Sequence, residues 1–303
     1  MRQRAAAARA KAITFRQCTE AYLATHTSTW KNAKHRWQWK NTLEIHAYPA
    51  FGDTPVSKID VGLVIGVLER IWLEKHETAT RLRGRIEAIL DWVAVRGYRK
   101  GDNPARWRGH LQKALPTIKK SLRVRHHPAL PFKDVPDFMQ KLAKQDGISA
   151  RALAFCILTA TRTGETINAR WAEIDLERRV WVIPAVRMKI PREHRVPLSA
   201  HALAILRALR TTLAREPDSA EFVFPSRRRD QPLSNMALLM TLKRMSRGDL
   251  TTHGFRSSFR DWAAERTDFA GEVAEAALAH AVGDKVEAAY RRGDLFGGVR
   301  GLF

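Results

Sequence analysis

A stretch rich in proline and basic residues, Gln112 to Leu130, interrupts the 303-residue chain and limits what it can fold into. Proline lacks a backbone N–H donor and ends helices, so we expect no long regular element to run through this stretch. Its helix-breaking and basic residues include Pro116, Lys119, Lys120, Arg123, Arg125 and Pro128. A chain of this length also exceeds what one compact domain usually needs. We therefore predict two domains, at 13–111 and 131–303, joined by a basic linker at 112–130 and preceded by a basic tail at 1–12.

The first half shows helical periodicity. Apolar residues recur three or four positions apart between Thr78 and Arg96, and Gly97 is placed to end that helix. This stripe consists of Leu82, Ile86, Ile89, Leu90 and Val93. The same spacing recurs in two earlier groups: Phe15, Cys18 and Tyr22, and Trp30, Ala33 and Trp37. The pattern predicts an all-helical domain.

The second half mixes helices with a few strands. The segment 152–158 is apolar on every side, which predicts a buried central helix capped by Ser149. Two short runs at 180–183 and 195–198 predict strands that enclose a turn containing Lys189. Further helices are expected from Ser199 onward and near 234–244, 252–265, 271–278 and 284–291. The fold class is therefore an all-α domain followed by a mixed α+β, mainly helical domain with a small antiparallel sheet.

The composition favours a polyanionic partner. The chain carries a net charge of +22, and its first 128 residues hold 25 basic residues against 10 acidic ones. Such an excess repels itself unless an anion such as nucleic acid neutralises it. The candidate phosphate contacts in this half are Lys31, Lys34, Arg81 and Arg85. A solvated helix face is the competing interpretation of the two arginines.

The sequence argues against several other classes of protein. No apolar run is long enough to cross a membrane, and the N-terminus has no secretory signal. Cys18 and Cys156 lie far apart in apolar surroundings, which predicts inert core thiols in a reducing compartment and no zinc site. Glycine-rich phosphate loops and a His-Glu-x-x-His motif are absent. Acidic residues that could hold two magnesium ions are not clustered in the second half, which weakens a metal-dependent nuclease.

Basic side chains remain as candidate chemical groups in the second half. His253 and Arg256 share the polar face of an amphipathic helix, although a solvated basic face would show the same pattern. Arg162 is expected to end the buried helix. A guanidinium leaving an apolar helix cannot easily reach water, so it needs an anion, supplied by Glu165 or by a substrate phosphate.

Three further residues each have an ordinary structural interpretation. For Lys189 this interpretation is an exposed lysine in a hairpin. For His280 it is a helix cap, and for Tyr290 it is a tyrosine of the apolar core. Tyr290 is nevertheless the only tyrosine in the second half of the sequence. If this domain uses a phenolic nucleophile, that nucleophile is Tyr290.

Taken in order, these residues resemble the tyrosine recombinases, and more narrowly the integrases of temperate phages and genomic islands. The matching words are Arg162 with Glu165, Lys189 in a turn, His253-Gly254-Phe255-Arg256, Leu278-Ala279-His280 and Ala289-Tyr290. The flanking sequence motifs at 194–199 and 224–226 also match this family. The similarity extends over about 13–296. It implies a helical core-binding domain at 13–111 and a catalytic domain at 131–303.

The resemblance implies a site-specific DNA recombinase that breaks and rejoins strands through a covalent 3′-phosphotyrosine. Tyr290 would be the nucleophile, and His253 would accept its proton. Arg162 and Arg256 would hold the scissile phosphate and stabilise the charge of the transition state. The remaining roles are implied in the same way: Lys189 would protonate the departing 5′ oxygen, His280 would donate a further hydrogen bond, and Glu165 would support the site.

The resemblance also implies the partners of the chain. These are double-stranded DNA carrying an attachment-site core, other copies of the chain in a tetramer, and accessory DNA-bending proteins. No cofactor, metal ion or membrane is implied, because the protein supplies the cations itself. We expect the protein in the bacterial cytoplasm, associated with the nucleoid.

The sequence departs from the family in the backbone and at the ends. Relatives often have glycine where Ala160 and Ala279 stand, and proline where Thr252 stands. The chain begins almost at the core-binding domain, and residues 297–303 show no helical stripe. This predicts a truncated element relic. The alternative function is therefore a catalytically impaired DNA-binding remnant. A type IB topoisomerase is a third hypothesis, ranked last because the flanking sequence motifs match integrases.

Overall fold

Two separate apolar cores account for the division of the chain into two compact units, residues 1–125 and 126–303. The computed structural model describes residues 13–27, 30, 33–118, 128–212, 221–227, 231–280 and 295–303. Within these ranges, no helix combines the length and the apolar character that crossing a bilayer requires.

The described elements of the first unit are helical. They are α1 (Phe15–His26), α2 (Ala33–Thr42), a π-helical segment (Leu43–Ala47), α3 (Tyr48–Phe51), a 3-10 turn (Val56–Lys58), α4 (Val61–Trp72), α5 (His76–Val95), a second π-helical segment (Trp107–Leu111) and α6 (Gln112–Ala114). Local chemistry fixes where several of them begin and end. Thr14 and Gln17 form a reciprocal capping box at the start of α1, and the Asp60 carboxylate accepts from the Leu63 backbone N–H at 2.9 Å. Gly97, at φ 75°, follows α5 as expected.

The second unit is mainly helical around a small sheet. Its helices are α7 (Val135–Ala143), α8 (Ile148–Leu158), α9 (Thr163–Ile167), α10 (Ala200–Thr212), α11 (Ala237–Arg244), α12 (Gly254–Arg266), α13 (Gly271–Ala277) and α14 (Phe296–Gly301). Single 3-10 turns occur at Phe132–Asp134, Trp171–Glu173 and Ala185–Arg187. The strands are β1 (Ile174–Asp175), β2 (Val180–Ile183) and β3 (His194–Pro197). The predicted fold class, all-helical and then mainly helical with a small antiparallel sheet, is confirmed.

The apolar helix α8 is the centre of the second core, as its sequence predicts. It contacts α7, α9, α10 and α11. The three strands pair antiparallel in the order β1-β2-β3, with Ile183 opposite His194. Trp181 of β2 is fully buried and its ring lies 5.5 Å from that of Phe155 on α8. The sheet therefore packs on α8 through alternate residues of β2.

Two details of the sequence prediction for helix starts are wrong. Gly147, at φ 93°, occupies the N-cap position of α8, so Ser149 lies inside the first turn. Trp30 precedes α2 instead of lying within it. Ten residues join β2 to β3 and include a 3-10 turn, so Lys189 lies between the two strands as predicted. Ser199 likewise accepts from the Ala202 N–H at the start of α10, as expected.

The expectation that residues 297–303 lack a helix is also wrong. Helix α14 places Val299 and Leu302 in a small apolar cluster with Ala263, Ala274 and Ala277. Three glycines make this segment a poor helix by intrinsic propensity. Tertiary burial outweighs propensity here, as is common for short helices. The helix predicted at 284–291 lies outside the described residues.

Gly254, the first residue of α12, lies against the segment that enters the second unit. A Cβ there would overlap the carbonyl oxygen of Pro128 and lie 2.9 Å from Cα of Ala129. We predict that Gly254→Ala lowers the free energy of unfolding by about 1–3 kcal/mol, the usual cost of overpacking. Urea denaturation measures it, with Gly164→Ala as control because a Cβ there meets open space. Equal effects of the two substitutions would contradict this contact.

Both cysteine thiols are buried, and burial raises the pKa of Cys18 and of Cys156 to about 11 each. A raised pKa lowers the thiolate fraction, so at pH 8 about one thiol in a thousand is reactive. We predict that iodoacetamide modifies neither cysteine of the folded protein at pH 8 and both in guanidinium chloride. Mass spectrometry of quenched samples measures this, and rapid labelling of either thiol in the folded state would refute it.

Candidate active site

Arg162 begins α9 instead of ending α8. Helix α8 stops at Leu158, and Ala160 then adopts a left-handed conformation at φ 48°, which reverses the chain. Arg162 follows in extended conformation at the N-cap position of α9. The prediction that it ends the buried helix is wrong, because an alanine gives no sequence signal for a left-handed turn.

Glu165 is the direct partner of Arg162. Arg162 Nη1 lies 2.7 Å from Glu165 Oε1, and the Arg162 backbone N–H donates to Oε2 of the same carboxylate at 2.8 Å. Glu165 is only 4% exposed. The carboxylate therefore caps α9 and compensates the Arg162 charge, which is one of the two partners that the sequence predicted for this guanidinium.

Arg256 is buried on α12, which places its guanidinium against two chain turns. It donates to the carbonyl oxygens of Ala160 and, at 2.5 Å, Leu278. Burial, and then the charge of Arg162, lower the pKa of Arg256 to about 10, so it stays protonated at neutral pH. Its Nε has no hydrogen-bond partner, and no described carboxylate forms an ion pair with it. A buried cation is costly unless other groups compensate its charge, which makes Arg256 a candidate for binding an anion.

His280 completes a cluster around the turn that follows α13. Its Nε2 lies 3.1 Å from Arg256 Nη2. Arg162 Nη2 reaches the same turn, 3.2 Å from the Ala279 carbonyl oxygen. Ala279 is left-handed at φ 48°, like Ala160. The structure thus brings together Arg162, Arg256 and His280, which are separated by up to 118 positions in sequence.

Two other predicted residues lie at exposed places in the second unit. His253 is exposed at the N-cap position of α12, three residues before Arg256. Lys189 is exposed on the loop between β2 and β3. Tyr290 lies outside the described residues, so the structure does not test its position.

An ion pair at the base of the Lys189 loop was not predicted from the sequence. Arg187 binds the Glu173 carboxylate and donates to the Glu165 carbonyl oxygen at 2.6 Å. Glu173 also accepts from the Trp181 indole at 3.0 Å. The pair therefore connects the loop to the element that carries Arg162. Its members are 14 positions apart, a spacing that no local sequence rule detects.

His194 on β3 was also missed as a site residue, although its strand was predicted. Burial lowers the pKa of His194, while the charge of Glu165 and the Ala277 carbonyl act in the opposite direction. The side chain therefore lies between the Arg162–Glu165 pair and the end of α13. Among the described residues, no group of three or more His, Cys, Asp or Glu is arranged to hold a metal ion.

The four predicted phosphate contacts of the first unit have different outcomes. Arg85 is buried at 7% exposure, donates to the Gln38 carbonyl at 2.7 Å and to Thr42, and stacks over Trp39. Its predicted exposed role is therefore wrong, because α2 covers this face of α5. Arg81 is exposed and pairs with Glu77 at 2.8 Å. Lys34 lies in α2, and Lys31 lies outside the described residues.

Comparison with known proteins places the chain in a family. Residues 15–110 match the phage integrase central domain, and residues 128–294 match the phage integrase family. The chain belongs to the phage integrase family, as the sequence motifs predicted.

Individual relatives support this family assignment. Prophage integrase IntA of Escherichia coli K12 is 32% identical over 266 residues, covering 84% of this chain and 60% of the relative. The integrase of Enterobacteria phage P4 is 28% identical over 275 residues, with the same coverage of 84% and 60%. The chain thus spans about 60% of the length of these curated relatives.

Solved structures show the same fold. A lambda integrase dimer bound to a COC′ core site has a TM-score of 0.70 at 16% identity, covering 97% of this chain and 81% of that one. The Tn1549 transposon integrase in complex with transposon right end DNA has a TM-score of 0.69 at 12% identity, covering 95% and 98%.

The buried position of Arg85 leads to a prediction about stability that distinguishes a structural arginine from an exposed one. We expect Arg85→Ala to lower the free energy of unfolding by about 1–3 kcal/mol, because it removes buried hydrogen bonds and leaves a cavity. Arg81→Ala, on the same helix but exposed, is the control and should leave stability nearly unchanged. Thermal and urea unfolding of both variants measure this. Equal stability of Arg85→Ala and the unsubstituted protein would overturn the assignment.

Proposed function

We propose that this protein is a site-specific DNA recombinase that breaks and rejoins DNA strands through a covalent 3′-phosphotyrosine intermediate. One observation carries the proposal: Arg256 is a buried cation whose described partners are carbonyl oxygens and His280, with no described carboxylate paired to it. A phosphodiester held there would receive hydrogen bonds from Arg256, Arg162 and His280. Preorganised donors of this kind stabilise the charge that develops on a pentavalent phosphorus.

The chemistry assigns each remaining residue one role. The Tyr290 oxygen attacks phosphorus while the bond from phosphorus to the 5′ oxygen breaks. His253 accepts the phenolic proton, and Lys189 gives a proton to the departing 5′ oxygen. Rejoining is the reverse, with a 5′ hydroxyl attacking the phosphotyrosine. Glu165 keeps Arg162 oriented throughout.

The partners follow from the relatives and from the charge of the chain. Matching structures include a lambda integrase tetramer bound to a Holliday junction. We infer that this chain binds double-stranded attachment-site DNA, assembles on it as a tetramer and acts with accessory DNA-bending proteins in the bacterial cytoplasm, at the nucleoid. We further propose that residues 13–111 and 131–303 are its core-binding and catalytic domains, and that Lys31, Lys34 and Arg81 contact DNA phosphates.

A suicide substrate tests the proposal, because a nick beside the cleavage site lets the 5′ end diffuse away and traps the covalent complex. The DNA is the junction of the host genome with the element that encodes this chain. We expect a DNA–protein adduct on denaturing gels, and we expect Tyr290→Phe to abolish it while retaining DNA affinity.

Tyr98→Phe is the matched control for this experiment, since it removes a phenolic hydroxyl from the first unit. An adduct formed by Tyr290→Phe would refute the nucleophile. Tight, salt-sensitive binding by the unsubstituted protein without any adduct would favour the alternative, a DNA-binding remnant without cleavage activity.

A further inference from the structure

Glu275 contacts the candidate site through His280. It lies on α13, and its Oε2 is 2.6 Å from His280 Nδ1. Its other oxygen, Oε1, is 2.6 Å from Nε of Arg260 on α12. The His280 backbone N–H also donates to the Glu275 carbonyl oxygen at 3.0 Å. Both the main chain and the side chain of Glu275 therefore hold His280.

The hydrogen bonds around His280 determine which ring nitrogen carries the proton. Arg256 Nη2 lies 3.1 Å from Nε2, and a guanidinium can only donate. Nε2 must then accept, which leaves the proton of the neutral ring on Nδ1. That proton points at Glu275. The arrangement resembles the carboxylate–histidine pairs that orient a functional imidazole in other proteins.

The electrostatics of Glu275 agree with this geometry. Burial by itself would raise the pKa of Glu275, but the hydrogen bonds from Arg260 and His280 outweigh burial, so the pKa is lowered. The carboxylate is therefore ionised at neutral pH and acts as an acceptor for both neighbours. Arg260 holds one oxygen so that the other faces His280.

We propose that Glu275 is a positioning residue of the active site, which orients His280 so that Nε2 points to the phosphate held by Arg256. The inference rests on the proposed function. When a phosphate oxygen takes up the donors of Arg256, Nε2 gains a proton from solvent and donates to the same phosphate. The ring is then an imidazolium flanked by Glu275 on one side and the phosphate on the other, so its charge is compensated at both nitrogens.

A purely structural role for Glu275 makes a different prediction. Glu275 also pairs with Arg260, and that contact joins α12 to α13. If this brace were its whole function, the loss of Glu275 would reduce activity by the same factor whether or not His280 were present. A double-mutant cycle between the two positions separates these cases.

The kinetic experiment measures single-turnover formation of the covalent complex on the suicide substrate, and DNA affinity by fluorescence anisotropy. We expect Glu275→Ala to slow covalent complex formation by about tenfold or more, the usual effect of removing a carboxylate behind a functional histidine. DNA affinity should change little, and Glu275→Asp should recover part of the rate. In a His280→Ala background, Glu275→Ala should have no further effect. Equal slowing in both backgrounds overturns the proposal.

Glu272→Ala is the matched control for the kinetic experiment. Glu272 lies in the first turn of the same helix and is exposed. We expect its substitution to leave the rate of covalent complex formation unchanged. If Glu272→Ala slowed covalent complex formation as much as Glu275→Ala, the effect would not be specific to the carboxylate that contacts His280. That result would contradict the proposal.

A spectroscopic experiment tests the orienting contact without requiring DNA cleavage. Two-bond ¹H–¹⁵N spectra distinguish the two histidine tautomers, and the His280 signal is identified by its loss in His280→Ala. We expect the Nδ1–H tautomer in the unsubstituted protein at pH 8 and a shift away from it in Glu275→Ala. An unchanged tautomer refutes the contact. If the unsubstituted protein forms no adduct while Glu275→Ala shifts the tautomer, the proposed function fails and the contact stands.

Discussion

The candidate site depends on holding two guanidinium groups of the same charge close together away from bulk water. Like charges repel more strongly where solvent screens them poorly, and the charge of Arg162 lowers the pKa of Arg256. One carboxylate, Glu165, compensates Arg162 directly. The direct acceptors of Arg256 are the carbonyl oxygens of Ala160 and Leu278, and the charges of Glu165 and Glu275 also favour its protonated form. Backbone carbonyls supply partial negative charge without neutralising the cation, which is consistent with the proposed phosphate site.

Two left-handed alanines make this arrangement possible. Ala160 and Ala279 both have φ 48°, and each lies in a turn whose carbonyl oxygens accept from an arginine. A left-handed conformation costs an alanine roughly 1–2 kcal/mol that a glycine would not pay. The surrounding hydrogen bonds and packing must exceed this cost. Strain of this kind is characteristic of functional sites.

The sequence predicted the elements of this fold better than their ends and contacts. The helical stripe of α5 and the apolar run of α8 are visible because neighbouring residues in one helix carry the signal. Arg85 was misjudged because the residues that bury it, Gln38 and Thr42, lie on a different helix, α2.

The predicted site residues were found through a family resemblance, and the structure shows which of them converge. Arg162, Arg256 and His280 meet at one turn, a contact across more than 100 positions that spacing alone does not reveal. Glu275 and the Arg187–Glu173 pair were missed for a related reason. Each acts by holding another residue, and no motif in the sequence marks that role.

The proposed chemistry needs two kinds of group, one that stabilises charge and one that transfers protons, and the candidate residues are placed accordingly. Groups that stabilise charge work best when they are fixed before the reaction begins, because reorienting them would cost free energy at the transition state. Arg162 and Arg256 meet this requirement through hydrogen bonds to the backbone. Groups that transfer protons must instead exchange them with solvent between steps. Lys189 and His253 are both exposed, one on a loop and one at the start of a helix. In the proposed chemistry, the charge-stabilising groups are thus fixed by hydrogen bonds, and the proton-transfer groups are exposed side chains.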